Sequence, residues 1–274
     1  MAEQGADQFP ASLLLIGAGK MGGALLDGWL RLGFDPRHIS IIDPEPDPRI
    51  VALAREKGLG LGAPASPPEA LVLAVKPQML ETAMPSMLRV MTQGTLILSI
   101  LAGKTLANLE ARLGDGRPIV RAMPNLPASV GHGITGAVAN AAVTPAQRKK
   151  ADALLAAVGR VEWLEDESLI DALTAISGSG PAYVFYLVEC LAEAGVEAGL
   201  PPDLAARLAR ATLEGAGELL AASELDPGTL RRNVTSPGGT TAAALEVLMA
   251  EDGLLPLLKK AVLAAKRRAG ELAG

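Results

Sequence analysis

The sequence predicts an α/β fold, a doubly wound parallel sheet over residues 1–165 followed by an all-α domain over residues 166–274. Three observations carry this prediction. Short apolar runs alternate with amphipathic segments through the first part, the alternation stops after Glu167, and a glycine-rich turn joins the first apolar run to the first helical pattern. Runs that are apolar throughout, rather than alternately polar, fit strands buried on both faces, and such strands occur mainly in parallel sheets flanked by helices. Helices on both faces make the sheet doubly wound.

Strands are expected at Leu13–Ile16, Ile39–Ile42, 71–75, 96–100 and 119–121, with amphipathic helices at 21–32, 78–91 and Leu106–Leu113. A last βαβ-like portion runs from 134–138 through a helix at 145–158 to 161–163. The alternation of Pro44, Pro46 and Pro48 reads as a short rigid loop. Beyond Glu167, helices are expected at 168–176, 181–198, 203–222, 227–234, 240–250 and 254–269. The second of these opens with Pro181, in the first turn where a missing N–H is harmless. Its first half, Tyr183-Val184-Phe185-Tyr186-Leu187-Val188, is apolar on every face. A helix of that kind must be buried all round. The helices of one monomer are too few to do this, so an obligate dimer core is expected; the alternative is the interior of a larger helical domain.

Composition narrows the classes of function. Hydrophobic residues make up 49% of the chain but aromatics only 3%, so the core must be built from closely packed Leu, Ala, Val and Ile. The net charge of −5 argues against a nucleic-acid partner. The basic run Lys266-Arg267-Arg268 lies near the end of the last helix, where it complements the helix dipole. A single cysteine, Cys190, excludes an intrachain disulfide and a cysteine-based metal site, and in an apolar run it reads as a small core residue. No metal is expected. The uncharged, largely apolar stretch 172–188 is broken by Gly178, Gly180 and Pro181 and is too short to span a membrane. Residues 1–10 lack the basic and apolar regions of a signal peptide, so a cytoplasmic protein is expected.

The most informative local motif is Gly17-Ala18-Gly19-Lys20-Met21-Gly22, which follows the strand Leu13–Ile16 and opens a helix. Gly17 permits a tight turn, Gly19 lets backbone approach a pyrophosphate, and Gly22 lets helix and strand pack closely. The helix N-terminus offers free N–H groups and the positive end of a dipole to the anion. Asp43 follows the second strand, where a carboxylate binds both ribose hydroxyls of a dinucleotide. A Rossmann-type site follows, with Asp43 favouring NADH over NADPH because it repels a 2′-phosphate. The plainer role for Asp43 is to cap the turn at Pro44. Ala74-Val75-Lys76-Pro77 closes the strand at 71–75, and carboxyl ends of strands face the ligand crevice in such sheets, so Lys76 is placed to reach the cofactor. Arg121-Ala122-Met123-Pro124-Asn125 follows the same logic more weakly. His38 and His132 read as structural or solvent-exposed.

A second anion-binding candidate is Ser236-Pro237-Gly238-Gly239-Thr240-Thr241, which precedes a helix. Two glycines and hydroxyl residues at a helix N-terminus make a nest of N–H groups suited to a carboxylate. The plainer alternative is an ordinary helix start with Thr240 or Thr241 as N-cap.

Two longer segments add specificity: residues 171–183 read DALTAISGSGPAY and residues 233–241 read NVTSPGGTT. With GAGKMG, AVKP and MPNLP, in that order along nearly the whole chain, they resemble pyrroline-5-carboxylate reductases. The resemblance implies a Rossmann domain, then a helical domain through which two chains interlock as a homodimer, with dimers able to assemble further. It implies reduction of 1-pyrroline-5-carboxylate, a small cyclic imino acid, to L-proline with NADPH or NADH. Cofactor contacts would fall on Ile16, Gly17, Ala18, Gly19, Lys20, Met21, Ala74, Val75, Lys76, Ala102 and Asn233. Substrate contacts would fall on Glu167, Ser236, Gly239, Thr240 and Thr241, with the Gly239 and Thr240 N–H groups and the Ser236 hydroxyl holding the carboxylate and the Thr241 hydroxyl bonding the ring nitrogen. Two departures stand out. Asp43-Pro44-Glu45 occupies a place where NADPH-preferring relatives carry hydroxyl or basic groups, and Arg210 precedes Thr212 where relatives have Gln before Thr. Hydroxyacid dehydrogenases share the general plan but use a lysine on a helix after a glycine-rich segment; residues 177–198 contain none. A dinucleotide-binding sensor without turnover is the remaining rival.

Overall fold

A computed structural model describes residues 8–272, so the expectation about a leader peptide falls largely outside the described residues. The strands β1 (Leu13–Ile16), β2 (Ile39–Ile42), β3 (Gly60–Leu61), β4 (Ala70–Leu73), β5 (Leu96–Ser99), β6 (Ile119–Met123), β7 (Gly133–Ala139) and β8 (Gly159–Trp163) form one sheet. Their order is β3-β2-β1-β4-β5-β6-β7-β8. The strands β1, β4 and β5 are buried along their full length, as their uninterrupted apolar runs require. Side chains alternate across a strand, so Leu13 and Leu15 enter one core while Leu14 and Ile16 enter the other.

Two features correct the sequence expectation. First, β7 runs antiparallel to β6, although every other pairing is parallel. The connection between them carries only a 3-10 turn, Leu126–Val130, and no α-helix to serve as a crossover, so the chain returns in the opposite direction. Second, the proline-rich stretch is not wholly a loop, because Pro48 opens helix α2 (Pro48–Lys57) after α1 (Lys20–Arg31). The Asp47 side chain accepts the Arg49 N–H at 2.8 Å, and Gly58, at φ 79°, ends the helix. Only Ile50 and Ala54 of α2 are buried, one turn apart. That stripe is too narrow to stand out as a periodic pattern.

Helix α1 lays Leu25, Leu26 and Trp29 on the sheet. The indole Nε1 of Trp29, fully buried, donates to the Leu154 carbonyl at 2.8 Å, which ties α1 to the helix α5 (Pro145–Ala156). Helices α3 (Leu80–Val90) and α4 (Leu106–Leu113) bury Leu80, Met87, Leu109 and Leu113 in the second core. After β8, α6 (Leu169–Leu173) runs into a π-helical turn, Thr174–Gly178, within the stretch expected to be one helix.

The chain divides into two compact units: the described residues up to Gly178 together with those from Lys266 onward, and Ser179–Ala265. The second unit holds α7 (Gly180–Glu197), α8 (Pro202–Ala222), α9 (Pro227–Asn233), α10 (Thr240–Leu248) and most of α11 (Leu254–Leu272). Helices α7 and α8 pack closely where Gly195 faces Ala205; a Cβ at Gly195 would lie 3.2 Å from that of Ala205. No residue of α7 is buried in the single chain, and Phe185 and Tyr186 are 56% and 66% exposed. One chain therefore does not provide the larger helical interior that was the alternative to a dimer. Cys190 is likewise only half-buried here, because it lies on that same helix. Among the described residues no helix is long and apolar enough to cross a membrane.

Candidate functional site

Strand register brings one set of expected residues together. Ile16 pairs with Ile42 and with Leu73, and Leu73 pairs with Ser99, so β1, β2, β4 and β5 end at one level. Gly17, Asp43, Ala74 and Ile100 begin the connections along that edge. It lies where the chain leaves β1 for β2 on one side and β4 takes up the other, the usual ligand crevice of a doubly wound sheet.

The glycine turn has the geometry that its spacing demands. Gly17 sits at φ 90°, donates its N–H to the Ile42 carbonyl at 2.9 Å, and has no room for a Cβ, which would lie 2.9 Å from the Ala74 carbonyl. A Cβ on Gly22 would meet the Gly17 oxygen at 2.1 Å. Gly19 differs: it is the N-cap of α1, no side chain caps the helix, and a Cβ there would meet nothing within 4 Å. The first N–H groups of α1 thus open onto free space, which fits a pyrophosphate.

Asp43 performs the turn role and does more. Its Oδ1 accepts the Glu45 N–H at 3.0 Å, and its Oδ2 accepts the Ala18 N–H at 2.7 Å. The carboxylate therefore braces the glycine turn against the end of β2. It also lines a cleft of about 470 Å³ together with Gly19, Lys20, Glu45, Asp47 and Arg49. Two oxygens with several lone pairs retain capacity for ribose hydroxyls. A slightly larger groove, about 520 Å³, lies over α5 and β8, away from this edge. There Arg148 stacks on Trp163 at 4.2 Å and the indole N–H donates to Asp152 at 2.8 Å. It contains none of the expected site residues.

The other expected cofactor residues of the first unit surround the same edge. Ile16 is buried beneath it, Met21, Ala74 and Val75 are half-buried, and Lys20, Lys76 and Ala102 are exposed. Lys76 is the N-cap residue of a 3-10 turn, Pro77–Met79. His38 and His132 are exposed, as expected.

Glu167 has partners that its sequence neighbourhood did not reveal. Its Oε1 accepts from Arg121 Nη1 at 2.7 Å and from the Leu106 N–H at 2.8 Å. Arg121, on β6, is only 5% exposed, so this is a buried cation held by one carboxylate. Asn125 is also buried; its Nδ2 donates to the Ser177 carbonyl at 3.1 Å and its Oδ1 accepts the Ile134 N–H at 3.0 Å. The only signal of either in the sequence was a polar residue placed within or just after a buried strand.

In the second unit, Ser236-Pro237-Gly238-Gly239 forms a tight turn closed by the Gly239 N–H donating to the Ser236 carbonyl at 3.0 Å. Pro237 holds the second position and Gly238, at φ 68°, the third, the pattern of a type II turn. Two details differ from expectation. The N-cap of α10 is Gly239 rather than Thr240 or Thr241, and the Gly239 N–H is committed within the turn. The first intrahelical bond is Ala243 N–H to the Gly239 carbonyl, and no side chain caps the helix. The N–H groups of Thr240, Thr241 and Ala242 consequently lack intrahelical partners. Ser236 and Thr240 are exposed and Thr241 is half-buried; Asn233 ends α9 and is exposed.

Comparison with known proteins places both halves. Residues 167–272 match the family model described as pyrroline-5-carboxylate reductase dimerisation, and residues 12–103 match that described as NADP oxidoreductase coenzyme F420-dependent. A pyrroline-5-carboxylate reductase of Pseudomonas aeruginosa is 41% identical over 265 residues, covering 95% of this chain and 96% of that protein. The solved pyrroline-5-carboxylate reductase of Coxiella burnetii superposes with a TM-score of 0.89 at 35% identity, covering 97% of this chain and 99% of its own. The Plasmodium falciparum pyrroline carboxylate reductase, solved with NADP bound, gives 0.78 at 28% identity, covering 96% and 98%. With that identity sustained from the glycine turn to the last helix, the chain belongs to the pyrroline-5-carboxylate reductase family.

Proposed function

We propose that this protein is a cytoplasmic homodimer that reduces 1-pyrroline-5-carboxylate to L-proline with NADH or NADPH, the last step of proline biosynthesis. In this reading residues 1–165 hold the dinucleotide and residues 166–274 serve dimerisation and substrate binding. The observation that carries it, beside the family membership, is the uncapped N-terminus of α10, which presents free N–H groups behind the Ser236–Gly239 turn. Such a helix end receives the carboxylate of a small imino acid.

The residues at the glycine turn fit a dinucleotide, since Gly19 and the first turn of α1 leave open space for a pyrophosphate. Ile16, Gly17, Ala18, Gly19, Lys20 and Met21 would cradle it, Ala74, Val75, Lys76 and Ala102 would line the crevice, and Asn233 would add a polar contact. Asp43 would take the ribose hydroxyls, which tilts the choice toward NADH. When bound, the nicotinamide supplies a hydride to the imine carbon. The Thr240 and Thr241 N–H groups and the Ser236 hydroxyl hold the substrate carboxylate, while Gly239 keeps the approach free of a side chain. Glu167, whose Oε1 is engaged by Arg121 and the Leu106 N–H, would be a further substrate contact. The Thr241 hydroxyl hydrogen-bonds the ring nitrogen and orients the imine. A cyclic imine is basic enough to arrive partly protonated, so positioning and electrostatics carry the reaction without a strong side-chain acid.

The deciding assay is optical oxidation of NADH and of NADPH with pyrroline-5-carboxylate, on the native protein and on Thr241→Ala. Turnover by the native protein and a fall in kcat of about 100-fold in the variant, with NADH affinity unchanged, are expected. Equal loss of turnover and NADH binding in the variant would remove Thr241 from this role. A folded protein that binds NADH but does not turn over would point to a different cyclic imine.

A further inference from the structure

The cleft beside the glycine turn carries a mixed charge pattern that Asp43 alone does not explain. Asp43, Glu45 and Asp47 line it with carboxylates, and Lys20 and Arg49 line it with cations. Arg49 is not free: its Nη1 lies 2.9 and 3.0 Å from the two Asp27 carboxylate oxygens. Both partners are well exposed, 56% and 46%, so the pair is solvated and weakly held.

The geometry shows what this pair withholds. Asp27 and Gly23 lie one turn apart on α1, and Gly19 at its N-cap lies one turn further back. A Cβ on Gly23 would be 3.1 Å from Arg49 Nη2, so the guanidinium reaches over the missing side chain on that face of α1. A displacement of about 5 Å, one helical pitch, would carry it from Asp27 toward the anion-binding end of the helix. The backbone end of α2 cannot do the same work, because Asp47 already accepts the Arg49 N–H. The Arg49 side chain is the part of α2 that can answer a phosphate in this cleft.

We infer that the Arg49–Asp27 ion pair sets the cofactor preference: Asp27 withholds from the 2′-phosphate of NADPH the guanidinium that would otherwise bind it. The inference rests on the dinucleotide reading of this cleft. It assigns to Asp27, a residue on the outer face of α1, a specificity role that acts through Arg49. With Arg49 spent, a 2′-phosphate entering the cleft meets three carboxylates and, among the described residues, one uncommitted cation, Lys20, and NADH is preferred. With Arg49 released, the same phosphate gains a planar donor fork suited to it.

The test measures binding of adenosine 2′,5′-bisphosphate and of AMP by calorimetry, and the NADPH-to-NADH ratio of kcat/KM, in the native protein, Asp27→Asn and Asp27→Asn/Arg49→Ala. Asp27→Ser serves as a second single variant should the amide disturb α1. The single variants should bind the bisphosphate about five-fold more tightly, the scale set by breaking an exposed ion pair and removing one charge, and shift the ratio equally, with AMP affinity unchanged. The double variant should lose the gain. An unchanged bisphosphate affinity in both single variants overturns the inference, as does a gain that persists in the double variant, which would trace it to net charge rather than to Arg49. Failure of the native protein to bind AMP or NADH at all would instead overturn the dinucleotide reading itself.

Discussion

Gly17 and Asp43 show how much of the proposed dinucleotide site depends on single atoms. At φ 90°, with its would-be Cβ 2.9 Å from the Ala74 carbonyl, Gly17 tolerates no side chain. Gly17→Ala should cost about 1–2 kcal/mol from the left-handed backbone alone, with a further loss as β4 is pushed away. Thermal denaturation should show a lowered Tm, and calorimetry a loss of NADH binding; unaltered NADH affinity would remove Gly17 from the turn's function. Asp43 joins the glycine turn to the end of β2 through the Ala18 and Glu45 N–H groups. Asp43→Ser keeps an acceptor for one of these and removes the charge proposed to repel a 2′-phosphate. The expected outcome is a kcat/KM ratio moved toward NADPH by about ten-fold, roughly 1.4 kcal/mol. An unchanged ratio would reduce Asp43 to a turn residue.

At the scale of elements, the start of α4 is held by two kinds of cap. Thr105 accepts the Asn108 N–H at 3.1 Å through its side chain, and Glu167, from the segment before α6, accepts the Leu106 N–H. Glu167 also neutralises Arg121 in the middle of the sheet. Removing the carboxylate therefore strands a buried guanidinium. Glu167→Ala should destabilise the fold by about 3–5 kcal/mol, whereas Glu167→Gln, which keeps an acceptor, should lose clearly less. Urea denaturation of the two variants checks this, and equal losses would show that the charge pairing contributes nothing. The turn between β5 and α4 carries Ala102, and a Cβ on its neighbour Gly103 would lie 2.6 Å from the Leu272 carbonyl. The end of α11 is thus packed on a turn proposed to line the cofactor crevice.

For the whole molecule, the main energetic fact is apolar surface left uncovered. On α7 alone, Val184, Phe185, Tyr186 and Leu187 are each at least 45% exposed, and Val247, Leu248 and Met249 of the α10 end are each at least 50% exposed. Exposed apolar surface of this extent marks an interface, and the match of residues 167–272 to a dimerisation model agrees with it. Light scattering should find a dimer at micromolar concentration. Phe185→Glu should give a monomer with a lowered Tm and little turnover. A native protein that is monomeric, stable and active would overturn the assignment of α7 to a dimer core.

The sequence by itself determined what depends on neighbouring residues. The four-residue strands β1 and β2 ended where Gly17 and Asp43 begin the turns, and α4 lay within its predicted bounds, because burial and capping act over a few residues. The glycine spacing likewise matched the turn into α1, since Gly17 and Gly22 answer to contacts within the same strand–turn–helix unit or with the residues just after β4, and Gly19 leaves open space at the helix N-terminus. Helix α2 was hidden because its two buried residues make too thin an apolar stripe, although Asp47, Pro48 and Gly58 marked both of its ends. Only the tertiary structure decided the direction of β7, the pairing of Arg121 with Glu167, 46 residues away, and the placement of Arg49 against Asp27, 22 residues away. These are contacts between elements, fixed by how the sheet orders its strands and how helices pack on it, and no local pattern encodes a partner at such a distance.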